Sequence, residues 1–261
     1  MMRALYSAAG GMLAQQLNVD VTSHNLSNVN TWGFKRYRVD FQDLMSQTLR
    51  APGALSAAGT MVPTGLTVGL GVKPAATVRN YAQGMFVETG QPTDALIEGE
   101  GFFQITMPDG TIGYSRDGAF KMDANGTLVT SDGYFLEPQI TVPPNTIQLT
   151  IDASGSVTAL LAGNVQQSLG QIELARFVNP PGLLGMGKNL FVQTEASGAP
   201  ITGVPGEEGF GTIAQGYLEG SNVQVVQEMV NLIVAQRAFE SNANAIKTSD
   251  DMLAIATSLR R

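Results

Sequence analysis

The string Gly182-Leu183-Leu184-Gly185-Met186-Gly187-Lys188-Asn189 is the nearest approach to a catalytic motif in this chain. Up to its lysine it keeps the spacing of a phosphate-binding loop, in which glycine amides cradle phosphates and a final Ser or Thr holds magnesium. Here Asn189 takes that last place. Asn179-Pro180-Pro181 precedes the string instead of a buried strand, and Leu190-Phe191-Val192 follows with strand chemistry instead of helix chemistry. A glycine-rich loop is the expectation. Gly65, Gly69 and Gly71 cluster too, but no βαβ unit surrounds them to make a dinucleotide site. Asp123-Ala124-Asn125-Gly126 begins like a calcium loop, yet the twelfth residue is Tyr134 where a bidentate Glu is required. His24 is the single histidine, so any Ser-His-Asp or histidine-metal site must use it. Its neighbours are Asn and Ser, which suits a capping or surface role. The carboxylates fall in turns (Asp109, Asp117, Asp132) or on a C-terminal helical segment (Glu228, Glu240, Asp250, Asp251), where a solvated face is expected. No cofactor, metal or catalytic residue is assigned. Paired carboxylates of a cell-wall hydrolase stay open as an alternative, as does an adhesin.

Stepping from side chains to the elements that carry them, the two ends belong together. Each reads as a helix with an apolar residue every seven positions. The first seam is Leu5, Met12, Val19 and Leu26, and the last is Val225, Leu232, Phe239, Ile246 and Leu253. Such stripes need a partner helix, because alone they bury nothing. The first helix is expected over residues 3 to about 29, stopped by Asn25 to Gly33, where Asn and Ser compete with the helical backbone. The second is expected over 222–259, with Ser221 as N-cap and Gln224 completing a capping box. Phe41, Leu44 and Met45 suggest a further short helix within 34–50. Residues 51–71, rich in Gly, Pro, Ala and Thr, form a long loop or extended arm of the kind that carries function.

From about 83 to 216 the pattern is β. Asp109-Gly110, Asp117-Gly118, Asn125-Gly126 and Asp132-Gly133 recur as hairpin-turn pairs. Strand-like runs lie around them at 102–105, 127–130, 146–151 and 171–178. The expected class is α+β. Residues 1–33 and 217–261 pair as a terminal coiled coil, 34–82 connect, and 83–216 form an inserted, mainly β domain.

Composition narrows the function classes. The 261 residues carry a net charge of −7, which disfavours a nucleic-acid binder needing a basic face. The run Lys35-Arg36-Tyr37-Arg38 is too short to alter that. Charged residues are 14% of the chain, against a usual ~25%. Sparse charge suits a surface covered by other protein, and a β surface rich in Gly, Ser, Thr and Asn accounts for part of it. No cysteine is present, so neither disulfides nor thiolate metals support the fold. The first fourteen residues make a poor signal peptide, broken by Ser7 and Gly10-Gly11, and continue the helical seam instead. No apolar run is long enough to predict a transmembrane segment.

Two stretches carry a resemblance. Asp20 to Arg36 (DVTSHNLSNVNTWGFKR) resembles the N-terminal signature of the rod and hook family of axial proteins of the bacterial flagellum. Leu218 to Leu253 resembles the C-terminal signature of the same family. The signature positions are Asn25, Leu26, Asn28, Asn30, Gly33, Phe34 and Lys35 at the start, and Ser221, Asn222, Gln236 and Arg237 at the end. His24 and Ser27 depart modestly from the pattern. In the middle, 65–74, Gly99 to Phe103, Tyr114 to Phe120 and 126–138 are similar to the distal-rod branch of that family, as are 187–191 and 215–219. The resemblance implies a structural subunit and no enzyme. It implies a helical homopolymer whose paired terminal helices line a tube, with the β domain outside, working as a drive shaft in the periplasmic basal body. Implied partners are further copies of the chain, proximal rod proteins, the hook protein and the peptidoglycan and outer-membrane ring proteins. Delivery through the flagellar type III export apparatus, without a cleaved signal peptide, is implied as well. A proximal rod or hook subunit is the alternative within the family.

Overall fold

The computed structural model describes residues 2–53, 64–207 and 209–258. Two long helices bracket a mainly β middle: α1 (Met2–Ser27) and α2 (Val225–Ser258). At 1.5 Å per residue, the 34 residues of α2 extend for about 50 Å. The chain divides into two compact units. One comprises 1–26, 37–78 and 224–261, and the other 27–36 and 79–223.

In the first unit, α1 and α2 accompany two small strand pairs. Tyr37–Asp43 pairs with Val72–Arg79, and Gln47–Arg50 with Leu66–Val68. The helix expected within 34–50 is therefore two strands. Tyr37, Val39 and Phe41 alternate with polar residues, and this period of two, in β-branched and aromatic residues, outweighs the helical spacing of Phe41, Leu44 and Met45. Val39 is the buried member. Of the arm 51–71, residues 54–63 lie outside the described residues.

The second unit is built on a nine-stranded antiparallel sheet. Its central strand, Phe102–Thr106, pairs on one side with Ile112–Ser115 and on the other with Phe135–Glu137. Asp109-Gly110, Asn125-Gly126 and Asp132-Gly133 each turn a hairpin, with the glycine at positive φ. Asp117-Gly118 does not. Gly118 serves close approach, because a Cβ there would lie 1.7 Å from the Ala95 carbonyl oxygen. Leu184–Gly187 and Leu190–Val192 form a hairpin through Lys188 and Asn189, both at positive φ. The string that resembles a phosphate loop is thus a β-turn with no helix after it.

Alternating inward residues build one large core from Phe103, Ile105, Phe120, Leu128, Leu136, Val157, Ile172 and Leu174, among others. Burying each such side chain contributes roughly 1.5–3 kcal/mol. A smaller aromatic core stands beside it. Phe102, Tyr114, Phe177 and Phe191 meet edge to face, with Tyr114 and Phe177 at 4.7 Å between ring centres.

Gly118→Ala should lower the stability of this unit by about 1–3 kcal/mol, since two backbones would have to separate. Urea unfolding followed by the near-ultraviolet aromatic signal checks this; an unchanged midpoint would mean the contact yields freely.

Candidate assembly interface

The helices bury an unexpected face. On α1 the buried residues are Ala8, Ala14, Thr22 and Asn25. On α2 they are Glu228, Ala235 and Ser249, spaced in multiples of seven. Small and polar side chains therefore occupy the inner faces. Leu5, Met12, Val19 and Leu26 are half-buried beside them, as are Leu232, Ile246 and Leu253, while Val225 and Phe239 are exposed.

Two described contacts join α1 to α2. Asn25 Nδ2 donates to Glu228 Oε2 at 3.3 Å. The Asn242 side chain fills the space over Gly11, where a Cβ would stand 2.8 Å from its Nδ2. These contacts lie fourteen residues apart on each helix and run in opposite directions, so the helices are antiparallel neighbours. Glu228, expected on a solvated face, is only 2% exposed. Asn25 does more: its Nδ2 donates to the Tyr37 carbonyl and its Oδ1 accepts from the Tyr37 amide, at 2.9 and 2.8 Å. One carboxamide thus ties the end of α1 to the start of the following strand.

Large apolar side chains point outward. Met2, Tyr6 and Leu13 are exposed on α1, and Val226, Met229, Val230, Ile233 and Val234 on α2. Val226 is 76% exposed and Val234 62%.

Gly33, Lys35 and Asn222 of the signatures converge within the second unit. Gly33 has φ +65 and donates its amide to the Glu219 carbonyl at 2.8 Å. A Cβ there would stand 2.8 Å from the backbone of Arg116 and Asp117, so conformation and space both require glycine. Lys35 Nζ reaches Glu219 Oε1 at 2.6 Å and the Ala82 carbonyl at 2.9 Å. The guanidinium Nε of Arg116 lies 3.0 Å from Glu219 Oε2. All three side chains are at most 5% exposed. Burial pushes the Lys35 ammonium below its ordinary range; Glu219 opposes this, and the nearby Arg116 charge adds to it. Burial likewise lowers Arg116, against the pull of Glu219 and Glu100.

Asn222 stitches the same three segments together. Its Nδ2 donates to the carbonyls of Asn80 and Ala82, and its Oδ1 accepts from the Arg36 amide at 2.7 Å. This commitment keeps 221–223 extended and delays α2. Gln224, not Ser221, supplies the first helical acceptor, to the Glu228 amide, and Ser221 Oγ accepts locally from Val223 instead. Asn28 shapes the turn after α1 by accepting from Thr31. Phe34 is half-buried and Asn30 exposed. Gln236 is exposed on α2, and Arg237 pairs with Glu240 at its surface.

His24 is exposed, its ring edge-on to Tyr37 at 5.3 Å. Among the described residues, no three His, Asp or Glu side chains cluster to hold a metal, and no helix is long and apolar enough to cross a membrane. Glu219 and Arg116 are the residues that sequence reasoning did not single out. The available signal was chemical: in a chain poor in charge, both stand in short motifs bounded by glycines.

Three family models match the chain. The flagellar basal-body rod protein model covers residues 5–35, the FlgE/F/G hook protein D1 domain 96–159, and the FlgEFG rod protein C-terminal model 214–259. The flagellar basal-body rod protein FlgG of Borreliella burgdorferi is 52% identical, and the match spans 100% of both chains. The chain belongs to the flagellar basal-body rod protein family. FlgG of Caulobacter vibrioides is 48% identical over 99% of this chain and 100% of its own. The flagellar hook protein FlgE of Helicobacter mustelae is 43% identical, but over 52% of this chain and 30% of the hook protein. Rod relatives thus match end to end and this hook relative in part. The family's members are structural proteins of the flagellar basal body.

Gly33→Ala should destabilise the second unit by about 1–3 kcal/mol, more than Gly133→Ala, which meets nothing within 4 Å and bears only the backbone penalty. Urea titrations followed by the fluorescence of Trp32 compare the two; equal midpoints would show that the contact with Arg116 and Asp117 costs nothing.

Proposed function

We propose that this chain is the subunit of the flagellar distal rod and polymerises helically into a stiff shaft that carries torque from motor to hook. The observation that carries this reading is the outward apolar row Val226, Met229, Val230, Ile233 and Val234, set against an inner face of small and polar residues. In this reading α1 and α2 pair as a coiled coil, with Leu5, Met12, Val19, Leu26, Val225, Leu232, Phe239, Ile246 and Leu253 along its flanks. That pair buries little apolar surface by itself. Copies of the chain cover the rest, each newly buried large side chain contributing roughly 1.5–3 kcal/mol. Contacts between unlike faces then propagate a filament and do not close a ring. Proximal rod proteins, the hook protein, the peptidoglycan and outer-membrane rings and the type III export apparatus are the partners that go with this role. In this reading the subunit reaches the periplasm through that export apparatus.

Replacing Ile233 by Glu in the source bacterium puts a charge on the outward row without touching the inner face. Isolated basal bodies should then end in a short rod stub with no hook, with the variant subunit still exported. A full rod lacking only the hook would move the chain to the hook end, and normal flagella would remove the outward row from assembly.

The segment 51–71 is proposed as an arm that packs on neighbouring subunits and straightens the shaft. Its flanking strands, Gln47–Arg50 and Leu66–Val68, present Leu49 and Leu66 to solvent. Deleting 51–65 should give curved or soft rods in electron micrographs; straight rods of normal stiffness would refute the arm.

A further inference from the structure

We propose that Lys35, Arg116 and Glu219 act as an electrostatic latch, which keeps the β unit from completing its fold until the C-terminal strand Tyr217–Glu219 has docked. The three residues come from distant parts of the chain: Lys35 and Glu219 are 184 positions apart. Lys35 lies on the segment 27–36, Arg116 just after the strand Ile112–Ser115, and Glu219 at the end of the strand that pairs with Phe86–Glu88.

Both cations are placed by backbone other than that of Glu219's strand. The two terminal nitrogens of Arg116 donate to the Gly101 and Gly99 carbonyls at 2.7 and 2.8 Å. Lys35 Nζ donates to the Ala82 carbonyl. Folding of 27–36 and 79–116 therefore brings two positive charges to one site, which in the complete fold is shielded from water. Like charges in a poorly solvated place repel, and neither can leave without breaking its backbone bonds.

Glu219 resolves the conflict at once. Its Oε1 accepts from Lys35 Nζ and from the Gly84 amide, at 2.6 and 2.8 Å, and its Oε2 faces Arg116. Its carbonyl takes the Gly33 amide. The strand before α2 also closes against residues 84–88 so tightly that a Cβ on Gly84 would lie 1.9 Å from the Gly220 carbonyl. Docking and charge neutralisation are one event. The unit stays open while residues near 219 are absent, and closes when nearly all of the chain has arrived.

The test uses the full-length chain, diluted from urea, with Trp32 as the fluorescent reporter on the segment 27–36. Glu219→Gln keeps the size and an oxygen acceptor but removes the charge. The latch requires this variant to refold at least tenfold more slowly than the parent, or not to fold. It further requires Lys35→Met in the same chain to restore most of the rate, because one buried cation is then gone. Refolding of Glu219→Gln at the parental rate would overturn the latch. So would a double variant no faster than Glu219→Gln, since Glu219 would then serve only as a hydrogen-bonded brace. Should Glu219→Gln fail to fold, recovery of folding in the double variant supports the latch and its absence overturns it.

Discussion

Glu219 is 2% exposed and stands between two cations that are almost as deeply buried. A lone carboxylate or ammonium in such a place would cost several kcal/mol, and only close pairing offsets that. The pairing here is not local. It draws on a segment that follows the first helix, on the central sheet, and on the strand that precedes the last helix. Gly33, Gly84 and Asn222 serve the same convergence, by letting backbones approach or by bonding three chain segments with one carboxamide. Within the second unit, residues 33–36 of the first signature and 219–222 of the second meet in one polar assembly.

The helices follow the opposite logic from that of a self-sufficient domain. A helical hairpin meant to stand alone places its large apolar residues inside. In this chain the inner faces carry Ala, Gly, Thr, Asn, Ser and Glu, several large apolar residues are only half-buried, and others face outward, Met2, Tyr6 and Leu13 on α1 and Val226, Met229, Val230, Ile233 and Val234 on α2. Small side chains let helices approach closely, while polar ones fix register at some cost in stability. The apolar surface is left for something other than the chain's own core. The low content of charge over the whole sequence agrees with a surface to be covered by protein.

The β unit needs no such help. It encloses two cores of its own, a large mixed one and a smaller aromatic one, and three of its hairpins turn on glycines at positive φ. The Arg79 guanidinium lies 4.7 Å from the Phe191 ring and packs over Gly185, while Gly182 lies against the backbone of Ala196 and Ser197. The glycine-rich string 182–189 thus owes its composition to packing and to a turn, which is why it keeps the spacing of a phosphate loop without its chemistry.

Local chemistry determined much of this molecule. Seven-residue apolar spacing marked both helices, and Asp-Gly and Asn-Gly pairs marked three hairpins, because helical periodicity and positive φ depend on neighbours a few residues away. The two signatures, read as sequence, placed the chain among rod and hook proteins. What escaped were the features that depend on distant neighbours. Periodicity alone could not say which side of α1 and α2 turns inward, because the flanking half-buried positions repeat at the same interval as the buried ones. At 37–43 a helical spacing and a period of two overlap in the sequence, and pairing with the distant Val72–Arg79 decides for the strand. Ser221 read as a cap because nothing local revealed that Asn222 was bound to Arg36, Asn80 and Ala82. The charges of Lys35, Arg116 and Glu219 are plain in the sequence, but burial decides their meaning, and burial is a property of the folded chain.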